Sequence, residues 1–331
     1  MNQDIDFVIP WVDGSDPAWI EEFNKYCPED KRIIDASEKR YRDFGLLRYW
    51  FRGVEQFAPW VRKVHFVTCG QKPDWLNLSA PKLHWVQHKD YIPQEYLPVF
   101  SANPIELMMH KIPGLAEQIV YFNDDLFLTS PVRKKFFFRN GLPCDSAILN
   151  LPCTNQRVMP HILLNDLYEI NRNFCKRQVI RQHPVKWLHP KYGKNILRTL
   201  LLLPWPNFPD FQNPHMACPY LKSQLEEVWS HCRESLEATM RSRFRSNGDV
   251  NQYLFRFWRL CTGDFFPINP GIGKKYFELS GDAATMVRDI RTGKYKEIVL
   301  NDAPCDDFET RMQMIAAAFD ALLPQKSSFE L

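Results

Sequence analysis

The sequence lacks several features that would assign a protein to a specialised class. Its nine cysteines form no CxxC pair and no regular framework. Their odd number argues against a complete disulfide set, so we expect reduced thiols of the cytoplasmic type. The formal net charge of the 331 residues is only +3, so the basic surface of a nucleic-acid-binding protein is not expected. Internal repeats and low-complexity tracts are also missing from the sequence.

Long hydrophobic runs are scarce as well. The longest apolar tract, from Leu200 to Trp205, is far too short to cross a bilayer. Asp4 and Asp6 interrupt the amino terminus, so no secretory signal is recognised there. The tract follows Arg198 and contains a proline, and it suits a core strand or a partner surface, with contact to a membrane surface as an alternative. We therefore expect a cytoplasmic protein and leave peripheral membrane contact open.

What the sequence does contain is an alternation of strand and helix patterns. The residues are 45% hydrophobic and 14% aromatic, enough for a substantial buried core. Short apolar runs predict strands, and apolar residues at helical spacing predict helices between them. The predicted strands are 5–10, 64–68, 83–86 and 119–122. The predicted helices are 103–110 and the amphipathic stretch 41–60, whose helix should stop before Pro59. This order predicts an α/β fold with a mostly parallel sheet flanked by helices, whose ligand sites gather where the strands end.

The second half of the chain has weaker patterns. Residues 153–214 are rich in Pro, Asn, His, Arg and Lys without a clear period, which predicts a less regular insertion or cap with a basic face. Helices are predicted at 220–236, 250–260 and 307–323, with a frayed tail from Pro324. The domain hypothesis is an α/β core at 1–152, the cap at 153–214, a helical part at 215–323 that completes the site, and a tail at 324–331.

Asn123, Asp124 and Asp125 are the most informative residues. They end the predicted strand 119–122 abruptly, before apolar residues resume. Polar groups at the edge of a buried strand are costly unless something binds them. Adjacent carboxylates there suit a hard divalent cation that shares its ligands with substrate phosphates. The alternative is a turn that caps a following helix, because Asn and Asp favour both positions.

Further polar clusters each allow a functional and an ordinary interpretation. Carboxylates after the first strand could hold a ribose or a metal-bound phosphate, or form an Asx turn. An arginine pair could bind phosphate, or begin a solvated helix. A glutamate and a histidine four residues apart are an ordinary surface pair on a helix. The clusters are Asp13-Gly14-Ser15-Asp16, Arg40-Tyr41-Arg42-Asp43, Glu106 with His110, and a fourth set comprising His215, residues 243–249 and Leu300-Asn301-Asp302.

Taken together, these clusters resemble the Stealth family of sugar-phosphate transferases in order and spacing. The first matching block is IDFVIPWVDGSDP at residues 5–17. A second, long block runs from RYRD at 40–43 through APWVRK at 58–63 and VTCGQ at 67–71 to YFNDD at 121–125. The third comprises His215 with RFR at 243–245 and Asp249, and the fourth is LND at 300–302. One departure is Cys69, where the family commonly has Asp.

The resemblance implies a Rossmann-like, GT-A-like core and a defined reaction. Members of the family move a hexose-1-phosphate from a nucleotide sugar to a glycan hydroxyl and release a nucleoside monophosphate. A UDP-linked donor, an oligosaccharide acceptor linked to lipid, a bound Mg²⁺ or Mn²⁺ and a location at the inner face of the cell membrane are therefore expected. The implied catalytic residues are His215, Asp125, Arg245 and Arg42; donor contacts fall to Asp13, Gly14, Asn123, Arg40 and Arg243; metal ligands are Asp124, Asp125 and Asp302.

Two other functions stay open at this stage. An ordinary metal-dependent glycosyltransferase would use the Asn-Asp-Asp motif for its donor and release a nucleoside diphosphate. A glycan-binding protein with a degenerate site would use the abundant tryptophans for stacking on sugars. A binding module has no need for several carboxylates, two arginines and a histidine, so the sequence favours an enzyme.

Overall fold

The computed structural model describes residues 4–27, 44–153 and 158–331. Arg40, Arg42 and Asp43 lie outside the described residues, as does the start of the helix predicted at 41–60. The strands are β1 Ile5–Pro10, β2 Val64–Thr68, β3 Leu83–Gln87, β4 Gln118–Tyr121, β5 Leu126–Leu128, β6 Phe138–Arg139, β7 Leu142–Asp145, β8 Cys218–Leu221, β9 Phe266–Pro267, β10 Lys274–Glu278 and β11 Glu297–Asn301.

The described α-helices are numbered here in chain order. They are α1 Pro17–Tyr26, α2 Leu47–Phe57, α3 Ala102–Leu107, α4 Met159–Asn173, α5 Lys176–Gln182, α6 Pro184–Trp187, α7 Asn195–Leu202, α8 Lys222–His231, α9 Arg233–Met240, α10 Tyr253–Thr262, α11 Ala283–Arg291 and α12 Phe308–Leu322. Short 3₁₀ turns lie at His88–Asp90, Gln94–Tyr96, Met109–Lys111, Lys134–Phe136 and Pro190–Tyr192.

The central sheet has the strand order β3-β2-β1-β4-β8. The first four strands are parallel to one another, and β8 pairs antiparallel with β4. Because the strands alternate their side chains, Phe7 and Ile9 of β1 face one hydrophobic core while Val8 faces a second. The mixed α/β class and the mostly parallel sheet are confirmed. The carboxyl ends of β1 to β4 therefore meet at one edge of the sheet.

A second sheet, β10-β11-β5, lies beside that edge. Its strand β5 begins directly after Asp125 and pairs antiparallel with β11, and the Leu300 amide donates a 2.9 Å hydrogen bond to the Asp125 carbonyl. Gly53 of α2 lies so close to β5 that an added Cβ would be 2.7 Å from the Leu128 carbonyl oxygen. The carboxyl-terminal part, predicted to be helical, does contain helices α8 to α12, but strands β10 and β11, which were not predicted, lie between them.

Residues 158–202 are helical rather than irregular, which corrects the prediction for the cap. Helix α4 buries Asp166 and Glu169 beside Leu167 and Ile170. These buried carboxylates interrupt the apolar pattern, so the helical period is difficult to recognise in the sequence. Trp187 of α6 is fully buried in the second core. The segment therefore forms an integral part of that core.

The carboxyl-terminal tail is packed rather than frayed. Phe329 is 1% exposed and its ring centroid lies 5.0 Å from that of Phe51. Arg52 donates to the Glu330 carboxylate at 2.8 Å, and the Leu331 amide donates to the Trp75 carbonyl. The predicted strand 83–86 and helix 307–323 are confirmed to within one residue, whereas Tyr220, predicted to be helical, belongs to β8.

Candidate active site

A cleft of about 410 Å³ opens at the carboxyl ends of the four parallel strands. Pro10 ends β1 and is followed by Trp11 and Val12, Cys69 follows β2, His88 follows β3 and Asn123 lies just after β4, and all of them line the cleft. The loop before α3 and residues from the second half of the chain close the other sides. Such a volume suits a small-molecule substrate, and its position is the one expected for a ligand site in an open α/β sheet.

Six of the residues that were expected from the sequence to be catalytic, to bind the donor or to bind a metal border this cleft. They are Asn123, Asp124, Asp125, His215, Arg245 and Asp302. Asn123 to Asp125 form the turn between β4 and β5, not a helix cap, because the chain passes there from the first sheet to the second. Asp302 follows β11, which pairs with β5 and so arrives at the same place.

His215 and Asp125 form the central pair of the cleft. His215 Nε2 lies 2.9 Å from Asp125 Oδ2, across 90 residues of sequence. Burial alone would lower the pKa of His215, but the hydrogen bond and charge of Asp125 raise it above its usual value, with smaller contributions from Glu106 and Asp124. A histidine oriented by a carboxylate in this way is suited to accept and release a proton.

The segment that carries His215 is held from two directions. Arg256 of α10 donates to the Gln212 carbonyl at 3.0 Å and to Asn213 Oδ1 at 2.8 Å. Arg256 is itself held in place by an ion pair with the buried Asp145 of β7. Burial would raise the pKa of Asp145, but Arg256 and Arg259 of the same helix lower it to about 2, so this carboxylate stays charged. On the other side of His215, the Ala217 amide donates to the Glu297 side chain of β11. These contacts position the imidazole against the turn at Asp125.

Glu106 is a cleft residue whose role the sequence did not reveal. Its side chain is 6% exposed, and Oε1 accepts a 3.0 Å hydrogen bond from the Tyr121 hydroxyl. Burial raises the pKa of Glu106 to about 7, although Tyr121 and the charge of Arg245 act in the opposite direction. The expected surface pair with His110 is wrong, because both residues are buried and α3 ends before His110. The available signal was a single carboxylate between Ile105 and Leu107, both apolar.

Arg245 reaches the cleft from a loop that is fixed to α3. The Phe100 amide donates to the Arg243 carbonyl at 2.7 Å, and the rings of Phe100 and Phe244 stack with centroids 5.2 Å apart. Asn103 donates to the buried Asp249 carboxylate at 2.8 Å. The two ends of the loop are thus attached, and Arg245 is placed near Glu106.

Other predicted donor-binding residues lie away from the cleft wall. The Asp13 carboxylate accepts from the Ser15 amide and hydroxyl, which is the Asx-type turn that the sequence had allowed, and Asp13 borders a separate shallow depression. Gly14 lines neither surface. The Arg243 guanidinium lies 4.8 Å from the ring centroid of Tyr26. Asp16, next to this turn, caps helix α1.

The carboxylates of the cleft do not form a closed metal cage. Within the described residues, no three His, Cys, Asp or Glu side chains are grouped so that they could hold a metal ion. Asp125 Oδ1, however, is buried without a hydrogen-bond partner among the described residues, while Oδ2 contacts His215. With Asp124 and Asp302 on the same cleft, this arrangement fits a cation that takes its remaining ligands from substrate phosphates.

The site therefore combines a His–Asp pair suited to proton transfer, a buried glutamate and an arginine in one cleft at the sheet edge, an arrangement typical of an enzyme. Family models for Stealth conserved region 1 match residues 3–27, and those for conserved region 2 match residues 40–144. The chain belongs to the Stealth family, and it is an enzyme of the phosphotransferase class.

Similarity to curated relatives extends over the full chain. The chain is 37% identical over 330 residues to a capsular polysaccharide phosphotransferase, WcwK, of Streptococcus pneumoniae, and the alignment covers 99% of this chain and 98% of the relative. It is 40% identical to the receptor polysaccharide phosphotransferase WefC of Streptococcus gordonii, with both chains fully covered. It is also 40% identical to the exopolysaccharide phosphotransferase cps2G of Lactiplantibacillus plantarum, covering 99% of this chain and 96% of the relative.

Solved structures give a weaker comparison. The glycosyltransferase GlyE of Streptococcus pneumoniae TIGR4 aligns over 94% of this chain and 83% of its own, with 7% identity and a TM-score of 0.22. This similarity is too weak to identify the fold, so the GT-A-like description stays a prediction.

Among the helices that the structure describes, we find none with the length and apolar character that a membrane span requires.

Proposed function

We propose that this enzyme transfers a hexose-1-phosphate from a nucleotide sugar to a hydroxyl of a glycan acceptor during the synthesis of a surface polysaccharide. The product is a phosphodiester, and the second product is a nucleoside monophosphate. The names of the relatives support phosphotransfer in polysaccharide synthesis. The observation that carries the proposal is the His215–Asp125 pair, which shares one cleft with Arg245 and Glu106.

His215 is the proposed general base. With its Nε2 proton donated to Asp125, Nδ1 can take the proton of the acceptor hydroxyl. The acceptor oxygen then bonds to the sugar-bearing phosphorus, and the bond from that phosphorus to the bridging oxygen of the diphosphate breaks. The bonding electrons leave with the nucleoside monophosphate, so negative charge grows on its oxygens. Arg245 lies in the same cleft and supplies a guanidinium to neutralise that charge.

Glu106 is assigned to the hexose. Its pKa of about 7 leaves a substantial protonated fraction near neutral pH, so the carboxyl group can donate as well as accept a hydrogen bond. Tyr121 occupies one of its oxygens, while the other is buried without a partner among the described residues. A sugar hydroxyl in the cleft satisfies that second oxygen. This pairing favours a hydroxylated substrate over an apolar one.

The nucleoside is assigned to the side of the cleft formed by the ends of β1 to β3. Trp11, Cys69 and His88 line this side, and they offer an indole and an imidazole for contact with a base. Asp13 and Gly14 were the expected nucleoside contacts, but they lie outside this lining. The identity of the base can be tested directly by offering the enzyme nucleotide sugars that differ in their base.

A divalent cation, Mg²⁺ or Mn²⁺, would be held at the unpartnered Oδ1 of Asp125, with donor phosphate oxygens as its main other ligands and either Asp124 or Asp302, which border the same cleft, as a second carboxylate. When bound, it would neutralise charge on the diphosphate. Turnover that stops with a chelator and returns with Mg²⁺ or Mn²⁺ is the expected result. Undiminished turnover in a chelator would exclude the cation.

The decisive experiment identifies the released nucleotide. The purified enzyme is incubated with a panel of UDP-, GDP- and CMP-sugars and a glycan acceptor, and the nucleotide products are separated by chromatography. From a UDP- or GDP-sugar the nucleoside monophosphate is expected, together with a phosphorus-31 signal typical of a phosphodiester in the product; a CMP-sugar, which has no diphosphate bond to break, should give no phosphodiester. Release of a nucleoside diphosphate from a UDP- or GDP-sugar would instead identify an ordinary glycosyltransferase.

A further inference from the structure

Helix α7 presents an apolar face that the rest of the described chain leaves exposed. Leu197 is 63% exposed, Leu200 43% and Leu201 66%, and Trp205, just beyond the helix, is 52% exposed. The three leucines are related by three and four positions, so they share one side of the helix. Thr199 and Leu202 are buried on the other side. Single exposed apolar residues are common, but four in nine positions form a patch.

The chain segment that contains this helix carries charge of one sign. Residues 170–209 contain eight of the chain's 42 Lys and Arg and none of its 39 Asp and Glu. This stretch therefore carries a formal charge of +8, in a chain whose total is +3. Lys191 and Lys194, just before α7, are exposed; the Lys191 ammonium donates one hydrogen bond to the Pro267 carbonyl at 3.2 Å and keeps two further N–H donors. The patch is thus accompanied by a positive potential that only an anionic surface complements.

We propose that this surface, defined by Leu197, Leu200, Leu201 and Trp205 with Lys191 and Lys194, docks on an anionic phospholipid bilayer. Leucine and tryptophan side chains at the interface, together with lysines that contact lipid headgroups, are the combination by which short helices lie in a membrane surface. The leucines remove apolar area from water, and the lysines add attraction to the headgroups. Neither contribution requires the transfer reaction, so the inference is independent of the proposed function.

Hydrogen bonds connect the helix of the docking surface to the chain segment that carries His215. Arg198 of the same helix donates to Asn150 Oδ1 at 3.0 Å and to Gln212 Oε1 at 3.2 Å. Gln212 lies three residues before His215 in the sequence. The membrane-facing helix and the segment of the proposed base are thus attached to each other. An enzyme held in this way keeps its cleft at a fixed position relative to the bilayer, where an acceptor anchored in lipid would be presented.

Vesicle co-sedimentation of the full chain tests the proposal. The probes are vesicles of equal parts phosphatidylcholine and phosphatidylglycerol, and vesicles of phosphatidylcholine alone. Wild-type protein should sediment with the first and far less with the second. The double variant Leu197→Ser/Leu201→Ser should bind the anionic vesicles at least ~10-fold more weakly, since it loses most of the inserted apolar area. Lys191→Gln/Lys194→Gln should weaken binding ~20-fold, and added salt should weaken the wild type in the same direction.

Leu78→Ser is the matched control, because Leu78 is a 43% exposed leucine in the loop between β2 and β3, next to the first core. It should bind vesicles as the wild type does. All variants should retain the wild-type circular dichroism and thermal midpoint. Equal binding by wild type and the Leu197/Leu201 variant would overturn the proposal. The proposal would also be overturned if the wild type sedimented as a dimer and this variant as a monomer. The patch would then bind a second copy of the chain rather than a bilayer.

Discussion

Glu106 offers a direct test of the electrostatics of the cleft, because glutamine has nearly the same shape without the ionisable group. The side chain is buried and accepts one hydrogen bond from Tyr121. Its pKa is raised from an ordinary 4.5 to about 7, chiefly because burial penalises the charged form. The folded protein therefore holds a proton on Glu106 over a pH range in which the unfolded chain has released it.

The sign of the effect on stability follows from this difference. The contribution of Glu106 to the free energy of unfolding is fully present below pH 4.5 and is lost as the pH rises to about 7 and beyond. A tenfold difference in proton affinity between the folded and the unfolded chain corresponds to about 1.4 kcal/mol. The shift of the Glu106 pKa from 4.5 to about 7 is a little more than two such tenfold steps. The wild type should therefore lose roughly 3 kcal/mol of unfolding free energy through this group as the pH rises across the range. In Glu106→Gln that loss disappears, because glutamine does not titrate.

Urea unfolding followed by tryptophan fluorescence at pH about 5 and pH about 8 measures the effect. The quantity to compare is the difference in unfolding free energy between wild type and Glu106→Gln. His88 and His110, whose pKa values burial lowers to about 4, titrate in both proteins and cancel in this difference. Glu226→Gln, on the exposed side of α8, is the control. A difference that stays constant between the two pH values would refute the assignment of a raised pKa to Glu106.

Three further predictions concern the site and the packing around it. His215→Ala should lower turnover at least ~100-fold with an unchanged circular dichroism spectrum, since the proposed base is removed; retained turnover would exclude it from the mechanism. Gly53→Ala should lower the thermal midpoint, at a cost of ~1–3 kcal/mol, because its Cβ meets a carbonyl oxygen at 2.7 Å. Gly248→Ala, with no contact under 3.8 Å, is its control. Phe329→Ala should cost ~3–5 kcal/mol if the tail packs as described, and a frayed tail would show no loss.

The parallel strands could be predicted closely from the sequence. The bounds of β1 and β2 agree with the predicted 5–10 and 64–68, because strands buried on both faces appear as continuous apolar runs. The cleft at their carboxyl ends follows from the same topology. Helix α2 was recognised from its apolar stripe, and its end before Pro59 is confirmed.

Elements whose burial includes polar groups were the ones missed. Helix α4 hides Asp166 and Glu169 in its core-facing surface. Helix α1 was missed for a different reason, since Trp19 is its only buried residue and it has no apolar stripe to recognise. The sheet β10-β11-β5 joins segments about 170 residues apart, a pairing that no local pattern encodes. Glu106 was assigned to the surface because charged residues are mostly exposed, and only the three-dimensional surroundings show its burial.

The pairing of β5 with β11 has a consequence for biosynthesis. Asp125 is translated early, but its carbonyl is bound by Leu300, and Asn301 and Asp302 complete the wall of the cleft only after that strand arrives. A nascent chain that has already formed the parallel sheet still has no finished pocket until residues 297–302 have left the ribosome. The complete pocket is therefore a late product of translation, although the sheet that carries it is an early one.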